Sequence, residues 1–322
     1  MRFGRFALPL AGLVVLCAAI GIREGCAQSW PQRTVKLIVP LSPGTGTDVT
    51  ARLYADRLSQ RWGQPVVVEN RPGADALVAV SAFVGARDEH TLLFSFGGPV
   101  TINPILMDKL PYDPERDLVP IVSASDSFLA VAVANYLDIN SLDELAKRAR
   151  AEPGKLTWAA TAGLPRFAFA GFVTSAGLDM VEVPYRDFNP ALQDVSEGRI
   201  SVAVSGLLPL MPLREGGKAR IIAVTNRTRS PAAPDIPAGA EAGYPAITAE
   251  GFQGFFGWRD MPQHLRDRIA ADVRAVAPSI PAERLASMGQ VVRVGSTADF
   301  IAMIEDQRAQ TRKVIAEAGM KR

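Results

Sequence analysis

An α/β protein of two lobes, each a mainly parallel sheet flanked by helices, is what this sequence predicts, and three observations predict it. Short β-branched runs alternate with amphipathic segments from Thr34 onward, the pattern of strands joined by crossover helices. Removal of an amino-terminal leader leaves about 295 residues, more than one hydrophobic core usually carries. No disordered or low-complexity linker divides the chain, so two lobes would have to exchange chain more than once.

The leader comes first. Arg2 and Arg5 precede an apolar run from Phe6 to Ile22, and Gly25-Cys26-Ala27 offers small residues for cleavage. The run contains Pro9 and is shorter than the ~20 residues a spanning helix needs. Residues 1–27 are therefore expected to be a signal peptide, and the mature protein to be soluble outside the cytoplasm. A lipid anchor at Cys17 or Cys26 is the alternative, with a poor context at Leu16 and at Arg23-Glu24-Gly25. Both cysteines would leave with the leader, which excludes a cysteine nucleophile, a thiolate metal site and a disulfide. Cleavage also takes the 35 basic side chains to 32 and the 33 acidic ones to 32. A neutral mature chain has no electrostatic footprint for nucleic acid.

Thr34 to Val39 reads as the first strand, and Val49, Leu53, Tyr54, Leu58 and Trp62 recur at helical spacing after it. Further strands are expected at Val66 to Glu69, Thr91 to Phe96, Phe128 to Ala134, Leu156 to Ala160, Met180 to Pro184, Ile200 to Val204 and Arg220 to Thr225. Ser141-Leu142-Asp143-Glu144 is a capping box opening a helix toward Ala151, which Pro153-Gly154 ends. Ser230 to Pro237 is a surface loop. Three helices, Pro262 to Ala277, Pro281 to Met288 and Thr297 to Ala318, finish the chain. The crossings between lobes are expected near Ser123 to Phe128 and between Val224 and Gly251. That gives one lobe from 28–125 with 250–322 and the other from 126–249.

Where the first strand meets its helix lies Pro40-Leu41-Ser42-Pro43-Gly44-Thr45-Gly46-Thr47-Asp48. Glycines let backbone N–H groups approach a ligand, threonines add hydroxyls, and the unpaired amides of a helix's first turn point at the same space. A carboxylate or phosphate suits such a cradle, although plain turns share this composition. A nucleotide P-loop is disfavoured, because Thr47 and Asp48 follow Gly46 where a lysine and a Ser/Thr belong. Asp48 serves as the helix N-cap or an early first-turn residue.

Catalytic chemistry is hard to assemble. His90 and His264 are the only histidines, too few for a histidine metal cluster. No serine sits in a Gly-x-Ser-x-Gly elbow, and Asp113/Glu115/Asp117 and Asp143/Glu144 lie in loop or cap contexts. What remains are polar loops after strands, where open α/β sheets bind ligands. Beside the Pro40–Asp48 loop these are Phe96-Gly97-Gly98, Thr161-Ala162-Gly163 and Ser205-Gly206. Loops facing one another across a cleft would enclose a small molecule.

Val35 to Arg52, Gly63 to Gly73, Ile102-Asn103-Pro104, Leu110 to Pro114 and Val183-Pro184-Tyr185 resemble, in order and spacing, the Bug-type extracytoplasmic solute receptors of tripartite tricarboxylate transporters. The likeness continues through Ala223-Val224-Thr225, Arg229-Ser230-Pro231 and Glu241-Ala242-Gly243. It implies a type II-like periplasmic binding protein, a Venus flytrap of two α/β lobes without catalysis, cofactor or metal. It also implies a small carboxylate ligand, the membrane permease subunits of a tripartite transporter as partners, and a monomer. The resemblance has the loop Leu41 to Asp48 grip one carboxylate through amides, hydroxyls and ordered water. Expected binding residues are thus Leu41, Ser42, Gly44, Thr45, Gly46, Thr47 and Asp48, with Phe96, Gly97, Thr161, Gly163, Arg166 and Ser205 from the other strand-end loops.

The chain departs from that family in its second lobe. A Gly-x-Gly-Ser-x-x-His-Leu loop is matched by Ala162 to Phe169, with Pro165 and Ala168 at the serine and histidine. Ser205 stands for an aspartate, Asp187 for a glycine, and Asp75 to Ala79 for Gly-Gly-Asn-Ile-Gly. Losing the aspartate removes a partner for a ligand amine, while Arg166, Phe167, Phe169, Phe188 and Phe96 add bulk. An apolar or aromatic monocarboxylate is one expectation; the other is that these phenylalanines are core and Arg166 is solvated. Two rival functions remain open, a receptor for a signalling partner and a secreted α/β hydrolase.

Overall fold

The computed structural model describes Met1 and residues 30–161, 163–185 and 188–317; the expected leader and the positions Ala162, Arg186 and Asp187 lie outside these. The described strands are β1 (Val35–Val39), β2 (Val66–Asn70), β3 (Thr91–Phe96), β4 (Val119–Ser127), β5 (Leu129–Ala134), β6 (Thr157–Ala160), β7 (Val181–Glu182), β8 (Val202–Gly206), β9 (Ala219–Val224), β10 (Gly251–Gly257) and β11 (Gln290–Val292). The helices are α1 (Gly46–Trp62), α2 (Leu77–Ala86), α3 (Gly98–Thr101), α4 (Asn103–Leu106), α5 (Leu142–Ala151), α6 (Leu164–Ser175), α7 (Phe188–Ser196), α8 (Leu207–Glu215), α9 (Gln263–Val276), α10 (Ala282–Ala286) and α11 (Thr297–Glu317). Two sheets result, one ordered β11-β4-β10-β3-β1-β2 and one ordered β7-β6-β8-β5-β9.

Both sheets are mixed, which corrects the expectation of mainly parallel ones. β1 runs parallel to β2 and β3, but β10 is antiparallel to β3 and β4, and β11 to β4. In the second sheet β6 is parallel to β7 and β8, while β5 is antiparallel to β8 and β9. The reason lies in how the chain crosses. In the second sheet the reversed strand is β5, which continues β4 across the crossing with only Phe128 between them; in the first the reversed strands are β10 and β11, which enter after the chain returns from the second sheet. β4, β10 and β11 were not expected as strands.

The crossing is held by backbone. Phe128 N–H donates to Gly289 O at 2.7 Å, and its carbonyl accepts from Leu207 N–H at 2.9 Å. Asn226, 3 % exposed, donates through Nδ2 to Ser127 O at 3.0 Å and accepts from Leu129 N–H. These bonds join the ends of both sheets to the starts of β11 and α8.

Each sheet has its own aromatic core. In the first, Tyr54 meets Phe255 edge-on at 5.6 Å and Phe255 meets Phe94 at 4.9 Å, a favourable geometry for ring quadrupoles. Tyr54 also donates its hydroxyl to Ala124 O at 2.9 Å, and burial pushes its phenol well up. The opposite face seats α11, with Phe300 against Phe252 and Phe256. Gly254 permits that seating, since a Cβ there would collide with the Phe300 ring and the Val122 carbonyl. The second core stacks Trp158, Phe169, Phe172 and Tyr244 in sequence, with ring separations of 5.1, 5.5 and 5.1 Å.

The helix ends follow local chemistry. Ser141 caps α5, its Oγ accepting from Glu144 N–H at 3.1 Å. Glu144 reaches back to Asn140 N–H at 2.6 Å, one residue before the cap itself. α1 closes on Gly63 with φ 64°, whose N–H bonds Ser59 O, the left-handed cap that glycine adopts without strain.

Two predictions follow from packing and charge. Phe255→Ala removes the ring at the centre of the first core and should cost about 3–5 kcal/mol in denaturant unfolding. His90 accepts the Gln32 N–H through Nε2 at 3.1 Å and lies beside Trp30. Burial, helped by the charge of Arg33, holds its pKa below the ordinary value, outweighing Asp88 and Glu89. The neutral ring's contribution is therefore full above the unfolded pKa of roughly 6.5 and disappears as pH falls through the folded value. His90→Gln should show a shallower fall in melting temperature than the parent between about pH 7 and pH 5.

Candidate functional site

Four loops leave the carboxyl ends of strands that pair in parallel: those after β1 and β3 in the first sheet, and after β6 and β8 in the second. This is where an open α/β sheet offers space to a ligand. Every expected site residue lies on one of these loops, at the strand end before it (Phe96, Ser205) or on the helix that follows.

In the first loop, Thr45 caps α1, and its Oγ1 accepts the Asp48 N–H at 3.4 Å. Its own N–H and hydroxyl turn inward to Ser42 O, and Leu41 O accepts from Asn70 Nδ2 at 2.8 Å. Asp48 was expected to touch the ligand; the structure gives it another task. It is 2 % exposed, and both oxygens are engaged. Oδ2 accepts from Gly44 N–H at 2.9 Å and Arg52 Nε at 3.1 Å, and Oδ1 from Asn70 Nδ2 at 2.9 Å and Arg52 Nη2 at 3.0 Å. Burial alone would raise this carboxyl, but Arg52, the Gly44 amide and Asn70 together hold it below the ordinary range. Asp48 shapes the loop rather than facing out of it.

With Gly44, Thr45 and Asp48 amides used internally, the N–H groups of Gly46 and Thr47 are the first-turn donors left without a protein partner among the described residues. Thr47 is set by a residue that sequence reasoning missed. Gln253 of β10, 1 % exposed, donates through Nε2 to Thr47 Oγ1 at 2.9 Å and Ser127 Oγ at 3.3 Å. Its Oε1 accepts from Ser125 Oγ at 3.0 Å. A hydroxyl that accepts still has its proton to give, so Thr47 keeps a donor for a ligand. The available signal was a glutamine inside the apolar run Gly251 to Gly257.

At the end of β3, the half-buried Phe96 ring lies against Gly98, where a Cβ would come within 2.6 Å of it. Gly97 is buried, and its carbonyl is taken by the Val100 and Thr101 amides and the Thr101 hydroxyl. In the second sheet, Thr161 donates its N–H to Val204 O at 3.0 Å. Gly163 adopts φ 82°, and a Cβ there would come 3.9 Å from Ile102 Cδ1, so the second-lobe loop approaches the first lobe's α3–α4 turn. Ser205 is fully buried and donates to Gly206 O at 2.9 Å.

Of the two expectations for the phenylalanines, the core one holds for Phe169 and Phe188. Phe169 is fully buried in the second core, and Phe167 is 5 % exposed; Phe188 packs on the cluster around Val195. On α6, Phe169 and Phe172 stand three apart and share the face turned to the second core. Arg166 is held by Glu182 at 2.6 and 3.1 Å, an ion pair that raises its pKa, with the charge of Asp75 in the other lobe adding to it. A surface cavity of 810 Å³ lined by Thr174, Ala246 and Gln310 includes none of the four loops. Among the described residues no three His, Cys, Asp or Glu side chains gather as a metal site, and no helix is long and apolar enough to cross a membrane.

Residues 50–320 match the family described as tripartite tricarboxylate transporter family receptor. The chain belongs to this family. Among its relatives, a UPF0065 protein of Bordetella bronchiseptica is 30% identical over 312 residues, covering 96% of this chain and 92% of the relative. BugT of Bordetella pertussis is 32% identical over 246 residues, 75% of each chain. An R. palustris protein solved with adipate has a TM-score of 0.82 at 30% identity, covering 90% of this chain and 98% of its own. MatC of Rhodopseudomonas palustris, solved with bound malate, has a TM-score of 0.76 at 26% identity over 88% of this chain and 99% of its own. The receptor is of the Bug type, with the two-lobed fold of periplasmic binding proteins.

Two substitutions test the loop's construction. Asp48→Ala strands the Gly44 amide and Asn70 and should cost about 1–3 kcal/mol in unfolding experiments. Because the folded pKa of Asp48 is lowered, that difference from the parent should be full above the unfolded pKa of roughly 3.9 and vanish as pH falls through the folded value. Gln253→Leu leaves the Thr47 and Ser125 hydroxyls unpaired and should cost a similar amount, about 1–3 kcal/mol, at all pH values.

Proposed function

We propose that this receptor captures a small carboxylate between its lobes and delivers it to the membrane permease of a tripartite transporter. One observation carries the reading: the Gly44, Thr45 and Asp48 amides are spent inside the loop, while the Gly46 and Thr47 amides at the helix start and the Thr47 hydroxyl proton have no protein acceptor among the described residues. Donors at a helix start, with the helix dipole behind them, suit an anion. A carboxylate is favoured over a phosphate because no lysine or arginine of the loop stands free to share a higher charge; Arg52 is committed to Asp48 and Asn70. The adipate and malate held by two structural relatives are carboxylates.

The lobes divide at the sheet crossings, 28–125 with 250–322 against 126–249, and the loops at Gly97, Thr161 to Gly163 and Ser205 close over the ligand from their strand ends. Residues 1–27 direct the chain to the periplasm and are removed. The protein acts as a monomer and carries out no chemistry on what it binds.

Thermal unfolding with a panel of mono-, di- and tricarboxylates tests this. A true ligand at a hundredfold over its Kd should stabilise the receptor by about 2.7 kcal/mol. Thr47→Val keeps the shape, removes the hydroxyl donor and should lose most of that stabilisation while melting as a folded protein. A panel without any stabilising carboxylate, or full stabilisation of Thr47→Val, would refute the assignment.

A further inference from the structure

Resting on the carboxylate reading above, we infer that Gln290 is a specificity-determining residue of the cleft. Its carboxamide reads an uncharged hydrogen-bond donor, a hydroxyl above all, next to the ligand's carboxylate. Gln290 opens β11 and is 7 % exposed. Its Oε1 is buried with no hydrogen-bond partner among the described residues. An acceptor sealed from water with nothing to accept is uncommon in a folded protein, and such groups mark a missing ligand or a functional strain.

The side chain points at the cradle. Its Nε2 stands 2.7 Å from where a Cβ on Gly46 would be, and its Cδ 3.4 Å, so Gly46 is glycine to admit this amide to the start of α1. The residue before it, Gly289, packs equally closely on Leu207, with 2.7 Å between a built Cβ and Leu207 Cβ. Leu207 follows Ser205 and Gly206 directly. Gln290 therefore lies between the first-lobe cradle and the end of β8, where a molecule seated on the Gly46 and Thr47 amides would pass.

The charge nearby selects the kind of donor. The carboxylates on the elements that frame Gln290, Asp48 of α1 and Asp126 of β4, already face Arg52 and Arg293. Ser205 brings a neutral hydroxyl that is spent on Gly206 O. An ammonium would find no free anion on these groups, whereas a hydroxyl needs only the amide oxygen. A site built to accept from a hydroxyl rejects the analogue lacking it, because its own polar group is then left unpaired.

Calorimetry on the full mature chain with matched pairs tests this: lactate against propionate, malate against succinate, and 2-hydroxyadipate against adipate. The parent should favour the hydroxylated member of the pair it binds by about tenfold or more. Gln290→Leu should bind the two members alike, and should melt no lower than the parent without ligand, since it removes an unpaired acceptor. Should the leucine variant not fold, Gln290→Met is read by the same ratio. A parent indifferent to the hydroxyl, or a variant that keeps the preference, overturns the assignment while the carboxylate reading stands. If no carboxylate binds the parent, the cleft reading fails first and this assignment falls with it.

Discussion

The Gln253 carboxamide is the interaction on which the placing of α1's first turn against β4 depends. It sits on β10, a strand that enters the first sheet only after the chain has built the whole second sheet, and it reaches Thr47, Ser125 and Ser127 at once. Burying an amide without partners would be costly, and here both its ends are satisfied. The three hydroxyls belong to α1 and β4, so one side chain fixes the start of the helix relative to the strand that leads into the other lobe. A shift of β4 at the crossing is thus felt at Thr47 through two hydrogen bonds.

The loop before α1 ties up many of its own polar groups. Asp48 consumes Gly44, Asn70 and Arg52; Ser42 and Leu41 carbonyls are consumed by Thr45 and Asn70. Each internal bond removes an alternative position for the loop and leaves the remaining amides of Gly46 and Thr47 fixed in direction. A donor that need not reorganise when an anion arrives binds it at less entropic cost. The second lobe has less of this. Thr161 is tied to Val204, Ser205 to Gly206 and Arg166 to Glu182.

Much of this was legible in the sequence. Strands such as Thr91–Phe96 and the helix from Thr297 carry plain periodicity, and the Pro40–Asp48 loop announced helix-start donors by its glycines and threonines. β4 and β10 were not legible, for a shared reason. Val119–Ser127 is rich in serine, and Gly251–Gly257 holds three glycines, compositions that strands ordinarily avoid. Here the small residues are demanded by what packs on them, Phe300 on Gly254 above all. Gln253 was hidden with β10, and Gln290 with the three-residue strand β11. The phenylalanines of α6 left two readings open because a ring reads the same in a core and in a cleft until the facing side of its helix is known.

The order of strands in the two sheets also has a consequence for how the receptor comes into being. A chain emerging from its amino end has every strand of the second sheet once Val224 is out, all from one continuous stretch. The first sheet at that moment still lacks β10 between β3 and β4. Domains fold as units while synthesis proceeds, so the second sheet can be finished while the first is still open. A product ending near residue 250 would hold one intact sheet beside a helix start with neither Gln253 nor Gln290 to aim it, folded in part and blind to its solute.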